Sequence, residues 1–150
     1  MEIRSATEND FGCLLEIWES SVRATHFFLT EDDIAYYRKK IGEEYFFQVQ
    51  LYVALGGPGL IEAFMGLAPA DEGLSVEMLF VRADSRGRGL GRALIERAVA
   101  LSGGKLELAV NEQNPEARRF YEKMGFKLIG REEVDGEGRP FPLLKMRFEG

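Results

Sequence analysis

Cysteine is almost absent: Cys13 stands alone in 150 residues. No intrachain disulfide can form, and a reducing compartment, the cytoplasm, is the expected setting. Histidine is equally scarce, with His26 alone. Nothing has metal-ligand spacing, so no metal is expected. No apolar run approaches the ~18 residues of a membrane span, and the N-terminal "MEIRSATEND" lacks the basic-then-apolar pattern of a secretory signal. Positive charge is also in deficit. Nineteen Lys and Arg face 25 Asp and Glu, for a net charge of -6. Nothing global attracts phosphates, which argues against nucleic acid or an anionic membrane as partner. Repeats, low-complexity tracts and long linkers are missing too, so a single domain over residues 1–150 is expected.

What is present alternates in period. After a short strand "EIRSA", Thr7 and Asp10 have capping-box spacing, and Phe11, Leu14, Leu15, Trp18 and Val22 follow at helical intervals. Thr30 and Asp33 repeat the cap ahead of a second helix lined by Ile34, Tyr37 and Ile41, with Gly42 as its expected stop. "QLYVAL" (50–55), "LIEAFMGLA" (60–68) and "LSVEMLFV" (74–81), parted by Gly-rich turns, predict an antiparallel meander. A helix from about Leu90 to Leu101 and a strand at 105–110 then complete a βαβ crossover, so strands 74–81 and 105–110 should be parallel. Asn114 and Pro115 start a last helix, and a hairpin around "DGEG" (135–138) closes the chain. Pro140 and Pro142 suggest that the last strand begins on an edge. The fold class is α+β: a mixed, mostly antiparallel sheet with about four flanking helices.

Between the third strand and its helix stands "RGRGLG", Arg86 to Gly91. The first N–H groups of a helix have no partner within it and carry partial positive charge. Glycine lets an anion approach them. Arg82, Arg86, Arg88 and Arg92 place local positive charge inside an acidic chain. The stretch therefore reads either as a diphosphate-type anion site or as a Gly-rich turn with surface arginines. No Gly-Lys-Ser/Thr follows, which excludes a P-loop, and GxGxG is not the dinucleotide spacing.

Two patterns in order resolve this choice. Arg86-Gly-Arg-Gly89-Leu-Gly91 fits Arg/Gln-x-x-Gly-x-Gly/Ala, and "NPEARRFYEKMGF" places Asn114, Ala117, Tyr121 and Gly125-Phe126 at matching later spacing. One helix and one strand separate the two. Together they resemble the GNAT superfamily of N-acetyltransferases, and the element order resembles it over the full length. "IWESSVRATHFFL" and "GRPFPLLKM" are similar to a small bacterial subgroup. "RADS" replaces the proline often found ahead of the loop.

The resemblance implies acetyl-CoA as co-substrate, in a gap where strands 74–81 and 105–110 splay apart. The diphosphate would sit on the backbone amides of Gly87, Arg88, Gly89, Leu90, Gly91 and Arg92, with Arg86 opening the motif. Leu79, Phe80 and Val81 would bind the pantetheine arm through backbone groups, one N–H polarising the acetyl carbonyl. Asn114 would contact the cofactor. The implied activity is direct acetyl transfer, in a ternary complex, to a primary amine on a small molecule or a peptide. A CoA-binding regulatory or sensor module without turnover is the alternative. Relatives that pair through sheet edges or C-terminal strands make a homodimer an expectation to test.

The chemistry needs a base for the amine, donors for the oxyanion and a proton or hydrogen bond for the departing thiolate. By family position Tyr121 serves the thiolate, although its helical spacing with Ala117 and Phe120 also suits a core aromatic. Glu77, a carboxylate in an apolar strand, is the first candidate base, and a solvent-facing Glu is its other reading. His26 is the second candidate, since an imidazole has an ordinary pKa near ~6.5. Strand alternation should send Val76, Met78 and Phe80 to one face and Glu77, Leu79 and Val81 to the other.

Overall fold

The computed structural model describes residues 1–150. Its strands are β1 (Glu2–Ser5), β2 (Gln50–Gly57), β3 (Leu60–Pro69), β4 (Leu74–Val81), β5 (Leu106–Asn111), β6 (Phe126–Glu132) and β7 (Leu143–Phe148). Its helices are α1 (Phe11–Thr25), α2 (Glu31–Glu43), α3 (Leu90–Ser102) and α4 (Pro115–Met124). Both predicted capping boxes form. Thr7 and Asp10 close a short 3₁₀ turn that leads into α1, and Thr30 with Asp33 starts α2. α2 runs through Gly42, one residue past its expected stop.

The strands form one mixed sheet of seven, in the order β1-β2-β3-β4-β5-β7-β6. Only β4 and β5 pair in parallel, and they do so over Leu74–Leu106, Ser75–Glu107 and Val76–Leu108 alone. Beyond Val76 the two strands part. β7 lies between β5 and β6, so the proline argument for an edge start fails. Pro140 and Pro142 precede β7, which begins at Leu143, and the Pro142 carbonyl accepts from the Glu112 N–H at 2.9 Å. A proline ahead of a strand costs the ladder no donor.

Apolar alternation divides the core between the two faces. One cluster joins Leu90, Leu94, Ile95 and Ala98 of α3 to Met65, Val76, Leu106, Leu108 and Met146 of the sheet, with Tyr121 and Phe126 behind them. The other joins Leu14, Ile17, Trp18 and Val22 of α1 and Ile34 and Ile41 of α2 to Val53, Phe64 and Met78. Val76 and Met78 thus face opposite ways. The expected simple alternation fails because β4 carries a bulge: Gly66 pairs with Met78 and Leu67 with Val76, which leaves Glu77 without a partner. An extra residue resets the period of 2, and bulges recur beside active sites.

Candidate functional site

The parting of β4 from β5 opens a cavity of about 320 Å³ on the α3–α4 side. Leu79, Phe80 and Val81 form one wall. On their other side they pair with Met65, Phe64 and Ala63 of β3, so the N–H and C=O groups not used there face the gap. Gly87, Gly89, Leu90, Gly91 and Arg92 form the floor, and Asn114, Ala117, Phe120 and Tyr121 of the α4 region close the far side. His26 and Arg86 complete the rim. The structure therefore brings together the candidate catalytic and cofactor residues except Glu77 and Arg88, and Arg82, named for its charge, also lies outside this lining.

The floor presents open backbone donors. Gly87 and Gly89 have φ of +79° and +81°, a region where L side chains are strained, and a Cβ at either would meet nothing. The glycines serve backbone shape and leave open space above it. Gly89 is the N-cap of α3 and no side chain caps this helix. The first helical bond is Ala93 N–H to the Gly89 carbonyl at 3.0 Å, so the donors ahead of it remain for a ligand. The arginines are more committed than their number suggests. Arg86 pairs with Glu116 at 2.6 Å, Arg92 with Glu96 at 3.7 Å, and Arg88 with the buried Glu62 at 3.2 Å.

Two side chains from α4 and its cap differ in availability. Asn114 accepts the Ala117 N–H at 3.3 Å through its carbonyl oxygen, so its amide NH₂ is the part left for a ligand. Tyr121 is buried, and burial alone pushes its phenol well above the ordinary tyrosine range. It stays protonated near neutral pH and is a hydrogen-bond donor there.

His26 ends α1, where its N–H bonds the Val22 carbonyl at 2.7 Å. Its Nδ1 lies 2.7 Å from Thr25 Oγ1, which in turn lies 2.8 Å from the Ser21 carbonyl oxygen. The hydroxyl has one proton and the carbonyl can only accept, so that proton goes to Ser21. Nδ1 must then donate to Thr25, which leaves Nε2 with a free lone pair. Burial lowers the imidazole pKa from 6.5 to about 4, so the ring is neutral at pH 7.

His26 and Phe80 also line a second, smaller cavity of about 130 Å³ with Trp18, Tyr37, Asn111, Asp135 and Phe141. Asn111 Oδ1 is the one buried side-chain polar atom with no hydrogen-bond partner. Tyr37 and Asp135 in turn line a third cavity, of about 540 Å³, and it is here that Glu77 lies, exposed, beside Tyr45, Gln48 and Glu137. The bulge has turned Glu77 away from the anion loop and toward the α1–α2 side. The segment between β6 and β7 walls this side and is fastened to α2. Tyr36 donates to Glu137 at 2.5 Å, Tyr37 donates to Asp135, and Arg139 pairs with Asp33 at 2.7 Å while its guanidinium sits 3.9 Å from the Tyr36 ring centre. Sequence reasoning missed this network, which joins residues about 100 positions apart.

A family model described as "Acetyltransferase (GNAT) domain" matches residues 47–128. The peptidyl-lysine N-acetyltransferase YjaB of Salmonella typhimurium is 39% identical, over 99% of this chain and 98% of that protein. The solution structure of apo-form YjaB from Escherichia coli superposes with a TM-score of 0.86 at 35% identity, over 99% of this chain and 97% of that one. The PaiA N-acetyltransferase of Thermoplasma acidophilum, crystallised with coenzyme A, has a TM-score of 0.81 over 99% and 98% of the two chains. At 19% identity it speaks for the fold.

Proposed function

The chain belongs to the GNAT family of acetyltransferases, and on that premise we propose that it moves the acetyl group of acetyl-CoA directly to the ε-amine of a lysine in a peptide or protein. The observation that carries this reading is the parting of β4 and β5 beyond Val76, because it places one cavity between the anion loop and Tyr121 and a second cavity across the sheet. Donor and acceptor approach from opposite faces and meet at the gap, which suits a ternary complex without an acetylated enzyme. The names of the YjaB relatives support a peptidyl-lysine acceptor.

The diphosphate rests on the amides of Gly87 to Arg92, and the pantetheine arm lies along the free edge of Leu79, Phe80 and Val81. The acetyl carbonyl takes an N–H from that edge, which stabilises the tetrahedral oxyanion. A lysine amine, ordinarily protonated with pKa near ~10.4, must shed one proton before its lone pair attacks the carbonyl carbon. His26 lines both the cofactor cavity and the small cavity, so its Nε2 lone pair can accept an amine N–H. Glu77, farther along the acceptor side, takes the proton through water. Asp135, Glu137 and Glu77 give that side a negative lining suited to a cation. As the C–S bond breaks, Tyr121 donates a hydrogen bond to the thiolate. A thiol pKa near ~8.5 lies well below that of the buried phenol, so Tyr121 stabilises the thiolate as a donor and the proton that finally neutralises it comes from solvent or the amine.

The test is release of free CoA thiol from acetyl-CoA over a panel of lysine peptides, free lysine and polyamines. Peptides should give the highest kcat/KM. If acetyl-CoA stabilises the protein and no amine speeds thiol release, the non-turnover CoA-binding module is the correct reading.

A further inference from the structure

Glu62 is a buried carboxylate near the start of β3, 5% exposed, and nothing in the transfer chemistry uses it. Its side chain leaves the sheet toward the anion loop. Ser85 Oγ donates to Oε1 at 3.0 Å, Arg88 Nη1 donates to the same oxygen at 3.3 Å, and Arg88 Nη2 donates to Oε2 at 3.2 Å. The Arg82 N–H bonds the Glu62 backbone carbonyl at 2.8 Å. Three residues of the segment 82–88 are therefore tied to one residue of β3. The room for this comes from β2, where a Cβ on Gly56 would stand 1.4 Å from Glu62 Oε2.

Apart from Glu62, the segment is held by the Ser85 N–H to Arg82 carbonyl bond at 2.9 Å and the Ala83 N–H to Ser20 Oγ bond at 3.0 Å, both ahead of the glycines. Gly87 and Gly89 flank Arg88 with positive φ and no side chains, and glycine loses the most conformational freedom on ordering. Arg86 points outward to the exposed Glu116. Arg88, although half-exposed, thus ties the loop to β3 between the two glycines, and its guanidinium faces a carboxylate. We propose that Glu62 is a positioning residue for cofactor binding. Its buried carboxylate, through Arg88 and Ser85, presets the loop whose amides receive the diphosphate. The chain spends Arg88 on loop shape and leaves phosphate recognition to backbone. This rests on the reading of the loop as the CoA diphosphate cradle.

Glu62→Gln keeps the size and one acceptor and removes the charge. Two measurements on the full chain test the proposal. Without ligand, amide hydrogen exchange across 83–91 should speed up about tenfold, with α3 beyond Ala93 unchanged. With ligand, the KM for acetyl-CoA should rise about tenfold, while kcat at saturating acetyl-CoA stays within about twofold. Should loss of charge compromise folding, Glu62→Met with Arg88→Met replaces the ion pair by apolar groups of similar length; only the carboxylate end of the pair is buried, and removing both partners leaves no buried charge unpaired. That double variant should fold and show the same raised KM. Unchanged loop exchange with unchanged KM overturns the proposal. So does tighter acetyl-CoA binding in Glu62→Gln, which would make Arg88 a phosphate ligand that Glu62 restrains. If the unmodified protein binds no acetyl-CoA, the functional reading fails, and the exchange measurement still decides whether Glu62 holds the loop.

Discussion

The two sides of the parted strands are built by different means. The α3–α4 side is backbone: an uncapped helix start, two glycines at positive φ and the free edge of Leu79 to Val81. The α1–α2 side is side chains: Tyr36, Tyr37, Asp33, Asp135, Glu137 and Arg139 in one network, with an aromatic run from His26 through Phe28 to Phe141 at ring separations of 5.3 Å. On the proposed reading, backbone donors meet a feature common to every CoA thioester. A side-chain network can be altered one residue at a time without disturbing the donor cradle. The molecule separates what must stay constant from what can specialise.

The sharpest way to break this comparison is at the seam. Tyr121→Phe removes a donor that matters only while the thiolate forms, so kcat should fall about 100-fold with the acetyl-CoA KM nearly unchanged. Steady-state kinetics on a lysine peptide would decide it, and full kcat in the variant would return Tyr121 to the core. Next in size is the backbone side alone. Gly89→Ala meets no atom, so its whole cost is the positive φ, roughly 1 kcal/mol, and the acetyl-CoA KM should rise about 5-fold with the peptide KM unchanged. The mirror experiment is Arg139→Ala, which cuts the tie to Asp33 and the stacking on Tyr36. There the peptide KM should rise about 3-fold and the acetyl-CoA KM should stay put. A variant that moved both constants together would deny that the two sides are separable.

The same division governs what the sequence discloses. The proposed donor side is legible because it is local. Arg86 to Gly91 is one continuous turn, and Asn114 caps a helix that carries Tyr121 two turns later, so spacing alone holds the geometry. The acceptor side is assembled from far apart, with Tyr36 and Glu137 separated by 101 positions, and no periodicity announces such a pair. Glu77 shows a third case. Alternation is a sound rule for a regular strand, but a one-residue bulge has no fixed residue signature and reverses every assignment beyond it. Arg88 belongs to the loop by its backbone amide and by a charge visible in sequence, but the partner that occupies its guanidinium lies 26 positions away on β3.

His26 lines two cavities, the proposed donor cavity and the small one beside it, and pH offers the smallest and most discriminating effect. Its folded pKa, lowered by burial to about 4, lies below the ordinary 6.5. Between those values the unfolded chain binds more protons than the folded one, so stability is fullest above pH 6.5 and declines as pH falls toward 4. The ring is only partly shielded by the fold and solvent relaxes around it, so the loss should be about 1 kcal/mol, less than the full shift implies. Urea unfolding at pH 7 and pH 5 should show the parent losing about 1 kcal/mol more than His26→Gln. Repeating the pair with saturating CoA sharpens the assignment. A ligand that buries the ring further enlarges the difference, which places His26 with the donor wall. No change with CoA, but a change with a bound lysine peptide, places it with the acceptor, where its free Nε2 is the atom the amine meets.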